Sequence, residues 1–200
     1  MVKRPTLWCL SRCYKDLVEL LIAEGANNWN SGLITPCIGG HKELVDLMII
    51  KGADDFTWGL SGPCEGGHMA LVTLMIDKGP DDWSTGFYYA CKNAHEDIVY
   101  FMMFEGIHCW NVGLRGACQG GHKELVELMI NKGADDWNGG LDNACEGGHK
   151  DIVELMIANG ADYWNNCLHS ACCENHKELI DLMISKGADR CFCHKPIVDH

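Results

Sequence analysis

Trp110-Asn-Val-Gly-Leu-Arg-Gly-Ala-Cys-Gln-Gly-Gly-His-Lys-Glu-Leu-Val-Glu-Leu-Met-Ile-Asn-Lys-Gly-Ala-Asp-Asp136 decides the fold, because the chain repeats this stretch with a period of 27 residues. Gly25, Gly52, Gly79, Gly106, Gly133, Gly160 and Gly187 keep that interval. So do His41, His68, His95, His122, His149 and His176, with Tyr14 in the first slot. Trp29, Trp83, Trp110, Trp137 and Trp164 follow the same spacing, Phe56 filling the gap, and no insertion breaks the register from Trp29 to Gly187. A fixed period of this length is the signature of a stacked repeat architecture.

Within the quoted stretch two short helices are expected. Asn111 is placed to cap the first, its side chain accepting a free backbone N–H. Leu114, Ala117 and Cys118 then fall at i, i+3 and i+4 on one face. Gly120-Gly121 ends this helix, since glycine accepts the left-handed conformation of a helix terminus. The second helix is expected from about His122 to Lys132, with Leu125, Leu128 and Met129 buried between neighbouring pairs, and Gly133 stops it. Neither helix is long enough to be stable alone, so stability is a sum of weak repeats and their interfaces. Pro36 and Pro63 stand where later repeats hold Ala. A proline is harmless only in a helix's first turn, so those two helices are expected to start late, near Gly32 and Gly59, or to be irregular.

Composition narrows the function classes. The chain has 200 residues, 47% of them hydrophobic, and a formal net charge of −12. That balance argues against a nucleic-acid backbone and against anionic membrane surfaces, both of which select clustered Lys and Arg. Val2 to Ser11 holds no apolar run suited to a secretion signal, and runs such as Leu47-Met48-Ile49-Ile50 are too short to span a bilayer. The expected setting is therefore a reducing cytoplasm. Thirteen cysteines are present, but Cys37, Cys64, Cys91, Cys118, Cys145 and Cys172 recur with the period. Equivalent helices in a stack lie roughly 8–10 Å apart, and a disulfide requires Cα atoms within about 7 Å. Neighbours in this ladder should not pair and are read as small core residues.

Gly-Gly-His122-Lys-Glu-Leu-Val-Glu-Leu-Met-Ile-Asn-Lys-Gly-Ala-Asp135 resembles the ankyrin family's G-H-x-E-V-V-x-L-L-L-x-x-G-A-D, and Leu114-x-x-Ala117-Cys118 resembles the second half of its T-P-L-H-x-A-A. Ankyrin repeats run to about 33 residues and carry a β-hairpin. Here the stretch from Asp136 to Leu141 is about six residues shorter by that comparison, and T-P-x-H is absent. The resemblance therefore implies an all-α solenoid of seven helix-loop-helix repeats without hairpins, joined by tight loops carrying the Trp. The repeats are 2–28, 29–55, 56–82, 83–109, 110–136, 137–163 and 164–190, in one domain over 1–200, with 191–200 an incomplete repeat or tail. Arrays of this W-N-x-G-L type are also similar to ankyrin-like proteins of large DNA viruses, which implies a host-cell cytoplasm and host–virus interaction.

Each repeat pairs Cys with His four residues on, as in Cys118 and His122. A structural zinc needs four converging ligands, so the pair reads as packing, with His bonding to a neighbouring loop backbone. Cys191, Cys193, His194 and His200 support the alternative function, a metal-binding structural or redox protein. By register they begin an eighth repeat broken off by Pro196. The Trp ladder reads as packing between repeats. No G-x-S-x-G or P-loop marks an enzyme, and neither catalysis nor a cofactor is expected.

Slots that vary between repeats are open to solvent or to a partner. On the first helix these hold Ile34, Ser61, Tyr88, Arg115, Asp142 and His169; then Thr35, Gly62, Tyr89, Gly116, Asn143 and Ser170; then Ile38, Glu65, Lys92, Gln119, Glu146 and Cys173. In ankyrin arrays the first helices line the concave surface where partners bind. The resemblance thus makes Tyr88, Tyr89, Lys92, Arg115, Gln119, Asp142 and His169 the expected partner-binding residues. The partner is expected to be a basic or amphipathic protein. Repeat 83–109 departs most: Asn93-Ala94 replaces Gly-Gly, Phe101 replaces Leu, and Tyr100 and Phe104 add aromatic surface. Leu7, Trp8 and Leu10 at one end and Phe192 and Ile197 at the other leave monomer and end-to-end dimer both open.

Overall fold

The computed structural model describes residues 28–189. The first expected repeat, 2–28, and the tail, 191–200, lie outside them, apart from Asn28. The described residues form twelve helices and no strand. In chain order they are α1 (Trp29–Ile38), α2 (Lys42–Ile50), α3 (Phe56–Gly66), α4 (Met69–Asp77), α5 (Ser84–Lys92), α6 (Glu96–Phe104), α7 (Trp110–Gly120), α8 (Lys123–Asn131), α9 (Trp137–Gly147), α10 (Lys150–Ala158), α11 (Trp164–Cys173) and α12 (Lys177–Ser185). The chain divides into two compact units between Gly86 and Phe87, inside α5. In the first, α1 packs on α2 and α3, and α3 on α4. In the second, α7 packs on α8 and α9, and α9 on α10 and α11. The fold is an all-α solenoid-like repeat array, as the period implies.

The same slots supply the core in each repeat. In 110–136 they are Leu114, Ala117 and Cys118 from the first helix, Leu125, Val126 and Met129 from the second, and Ala134 from the loop, all buried. Leu128, expected to be buried, is half-buried, while Val126 is fully buried. Burying each such aliphatic side chain contributes about 1.5–3 kcal/mol, which offsets the weakness of helices of nine to eleven residues.

The capping expectation is corrected. Asn111 lies inside α7, not before it. Where side chains cap first helices, the residue before the Trp or Phe position does so: Asp55 accepts from the Trp58 N–H at 3.1 Å and Asp136 from the Gly139 N–H at 3.0 Å. Asn111 instead points to the loop that closes its own repeat and leads into the next. Its Oδ1 accepts the N–H groups of Asp135 and Asp136 at 2.8 and 3.0 Å, and its Nδ2 donates to Asp135. Asn30 and Asn138 make the same three contacts 24 and 25 residues on. This asparagine clamps the inter-repeat loop where a hairpin would otherwise hold the spacing. The loops carry only one Trp of the described ladder, Trp83, which precedes α5; Trp29, Trp110, Trp137 and Trp164 instead open their helices.

The prolines did not delay their helices. α1 begins at Trp29 and α3 at Phe56, with Pro36 and Pro63 inside. Each proline removes one hydrogen bond, and the helix continues through it. The residue four before it, whose carbonyl meets the ring, is glycine in both cases (Gly32, Gly59), which leaves the backbone room to adjust.

Candidate functional site

The histidine ladder belongs to the scaffold. His68 Nε2 bonds to the Ile38 carbonyl at 2.9 Å, His122 to Lys92 at 2.9 Å, His149 to Gln119 at 3.0 Å and His176 to Glu146 at 3.0 Å. Each acceptor is a last-turn carbonyl of the preceding first helix, one of the groups a helix leaves unpaired. The ring thus fastens one repeat to the one before. Cys118 is buried, its thiol pushed up to about 12 by burial first and the Asp136 charge second. Burial likewise pushes Cys37 and Cys64 up to about 12. Among the described residues no three His, Cys, Asp or Glu side chains converge as a metal site. The tail residues Cys191, Cys193, His194 and His200 lie outside those residues.

Cys145 requires a correction. Its sulfur is bonded to that of Cys167, with Cα atoms 5.4 Å apart, so it is not simply a packing residue. The bond joins α9 to α11 and pairs a ladder cysteine with one outside the ladder. Geometry accounts for it. In the other five described repeats the slot of Cys167 holds glycine. A Cβ built on Gly86, Gly113 or Gly140 would meet the ladder sulfur of the preceding repeat at 3.1, 3.3 and 3.4 Å. A cysteine placed in that slot therefore arrives against a thiol.

The expected partner-binding residues all fall in the second compact unit, on the first helices α5, α7, α9 and α11. Tyr88 connects three of these. Its hydroxyl donates to Gln119 Oε1 on α7 and reaches Asn143 Oδ1 on α9 at 3.3 Å. Tyr89 packs edge-on against Tyr88, ring centroids 5.4 Å apart. Burial, the Glu146 charge and then Tyr89 push the Tyr88 hydroxyl up to about 12 against a smaller opposing effect of Arg115, so it stays a neutral donor at physiological pH. Arg115 Nε turns back toward the Asn111 carbonyl at 3.4 Å and lies 3.7 Å from Asp136 Oδ2. Asp142 accepts from Ser170 Oγ at 2.7 Å, linking α9 to α11. His169 Nε2 lies 3.8 Å from Cys173 Sγ.

Tyr88, Tyr89 and Gln119 are thus brought together, whereas Asp142 and His169 sit farther along the same row of helices. Lys92 contributes its carbonyl to His122. Asn143 and Ser170, expected only as variable positions, complete the hydrogen-bonded strip. The variation between repeats was the signal that would have found them.

Residues 114–192 match the family model of ankyrin repeats, in three copies. No curated protein matches the chain. This stretch is similar to ankyrin repeats, which are in general non-enzymatic modules of protein–protein interaction. No helix among the described residues is long and apolar enough to cross a membrane.

Proposed function

We propose that the chain, read as seven repeats over 1–200, is a non-enzymatic scaffold that binds another protein through its first-helix face, centred on Tyr88, Tyr89, Lys92, Arg115 and Gln119 and continuing to Asp142 and His169. The observation carrying this is the Tyr88–Gln119–Asn143 strip. These polar groups vary from repeat to repeat, are only half-buried, and are held in place across three helices. A pre-ordered tyrosine surface loses little entropy on binding. The net charge of −12 favours a basic or amphipathic partner over nucleic acid or an anionic membrane. The proposed setting is a reducing cytoplasm, in which the Cys145–Cys167 bond is open to reduction.

The test is affinity capture from the native cell with the wild-type chain and with a Tyr88→Ala/Tyr89→Ala/Arg115→Ala variant whose circular dichroism is normal. Loss of a specific partner from the variant supports the face. Full retention removes it.

A further inference from the structure

The outer side of α6 breaks the pattern of its equivalents in four slots, all in one direction. Tyr100 stands where other repeats hold Asp46, Thr73, Glu127, Glu154 and Asp181. Phe104 stands where they hold Ile50, Asp77, Asn131, Ala158 and Ser185. Glu96 replaces a position that is Lys42, Lys123, Lys150 or Lys177 in four repeats, and Glu105 replaces Lys51, Lys78, Lys132 or Lys186. One strip of one helix has taken two aromatic rings, one of them where a carboxylate is usual, and has exchanged two usual lysines for carboxylates.

The fold does not require these changes. α6 buries Ile98, Val99 and Met102, the same slots every second helix uses. Tyr100 is 53% exposed and Phe104 85% exposed. The two are four residues apart and so adjacent on the helix surface. Glu96, Asp97 and Glu105 around them are exposed as well. Glu105 occupies the C-cap, where a negative charge opposes the helix dipole and the lysine of other repeats would favour it. An exposed aromatic pair and an unfavourable terminal charge both act against the free protein.

We propose that this strip is a second docking surface, taking a short basic amphipathic segment of a partner protein. Tyr100 and Phe104 receive its apolar side chains, and Glu96, Asp97 and Glu105 receive flanking Lys or Arg. Large aromatic anchors ringed by charge are what a helix or extended segment with apolar residues at helical spacing recognises. The carboxylates select the sign of the partner: an anionic lipid surface is repelled, and a second copy of the same face would set acid against acid. The site is independent of the first-helix face.

The test uses a phage-displayed library of random peptides about four helical turns long. It is selected on the whole chain and depleted on a Tyr100→Glu/Phe104→Asn variant, which carries the residues of the next repeat (Glu127, Asn131). Enriched peptides are expected to combine Lys or Arg with large apolar residues. They should bind the variant at least roughly tenfold more weakly, bind a Glu96→Lys/Glu105→Lys variant more weakly too, and be unaffected by Tyr88→Ala/Tyr89→Ala/Arg115→Ala. Should the double variant melt early, Phe104→Ser, the residue of Ser185, provides the same comparison. Acidic or uncharged winners, or equal binding to the variants, overturn the proposal. So does a wild-type dimer in light scattering that Phe104→Asn abolishes, since the occupant is then a second copy.

Discussion

Gly120 has no room for a side chain. A Cβ there would lie 2.0 Å from the Lys92 carbonyl oxygen, the same atom that His122 binds, and 2.6 Å from the His122 ring. Gly121 beside it has a φ of 79°, with the His149 ring 2.4 Å from where a Cβ would sit. The pair is therefore a close-approach residue followed by a left-handed one, and not merely a helix stop. Gly120→Ala is expected to lower stability by about 1–3 kcal/mol, as overpacking against a rigid backbone does. A urea titration checks it, and an unchanged midpoint would show that α7 and α5 separate freely. Tyr88 makes a different prediction. Its folded-state value of about 12 lies above the ordinary 10, so the neutral hydroxyl is favoured by folding. That contribution is complete below pH 10 and is lost as pH rises toward 12. The buried thiols Cys37, Cys64 and Cys118, raised from 9.0 to about 12, act with the same sign over a wider window. Urea midpoints measured across this range should fall, and fall less steeply in Tyr88→Phe.

At the scale of the element, the legible features were those whose physics is local and periodic. Leu114, Ala117 and Cys118 announce a buried face by spacing alone, and the Gly120-Gly121 break announces the helix end. Asn111 misled because a residue suited to cap its own helix is equally suited to hold the next loop, 24 residues away, and spacing does not distinguish the two. Pro36 misled because a single missing N–H is outweighed where the helix is held by burial of Leu33 and Cys37 against its neighbours. Cys167 was legible in principle, as the one non-glycine in its slot among the described repeats, but only the stack shows that the slot faces a ladder sulfur. The Cys145–Cys167 bond closes a loop of 22 residues between α9 and α11. Closing such a loop stabilises by on the order of 3 kcal/mol. Alkylation of the unreduced, unfolded chain should therefore miss two thiols relative to the reduced chain. Cys167→Gly should lose that difference and the added stability together. If all thiols alkylate without reductant, the pair is reduced in the source cell and the stabilisation is absent there.

For the molecule as a whole, charge makes two predictions of opposite sign. A net charge of −12 destabilises the folded chain by self-repulsion. Ion pairs such as Lys42–Asp46 and Lys150–Glu178 lie on exposed side chains and contribute little to set against it. Raising ionic strength from about 0.01 to 0.15 M shortens the screening length from roughly 30 to 8 Å. Repulsion between distant carboxylates is thereby removed faster than attraction within close pairs. The melting temperature should rise, by about 2–4 °C if screening recovers about 1 kcal/mol. Attraction of a basic partner works through the same field, so its association rate should fall over the same salt range while dissociation changes less. Calorimetry and stopped-flow binding at matched salt separate the two. A melting temperature that falls with salt would mean that local ion pairs, not the net charge, govern the folded state. The net charge would then give no preference for a basic partner.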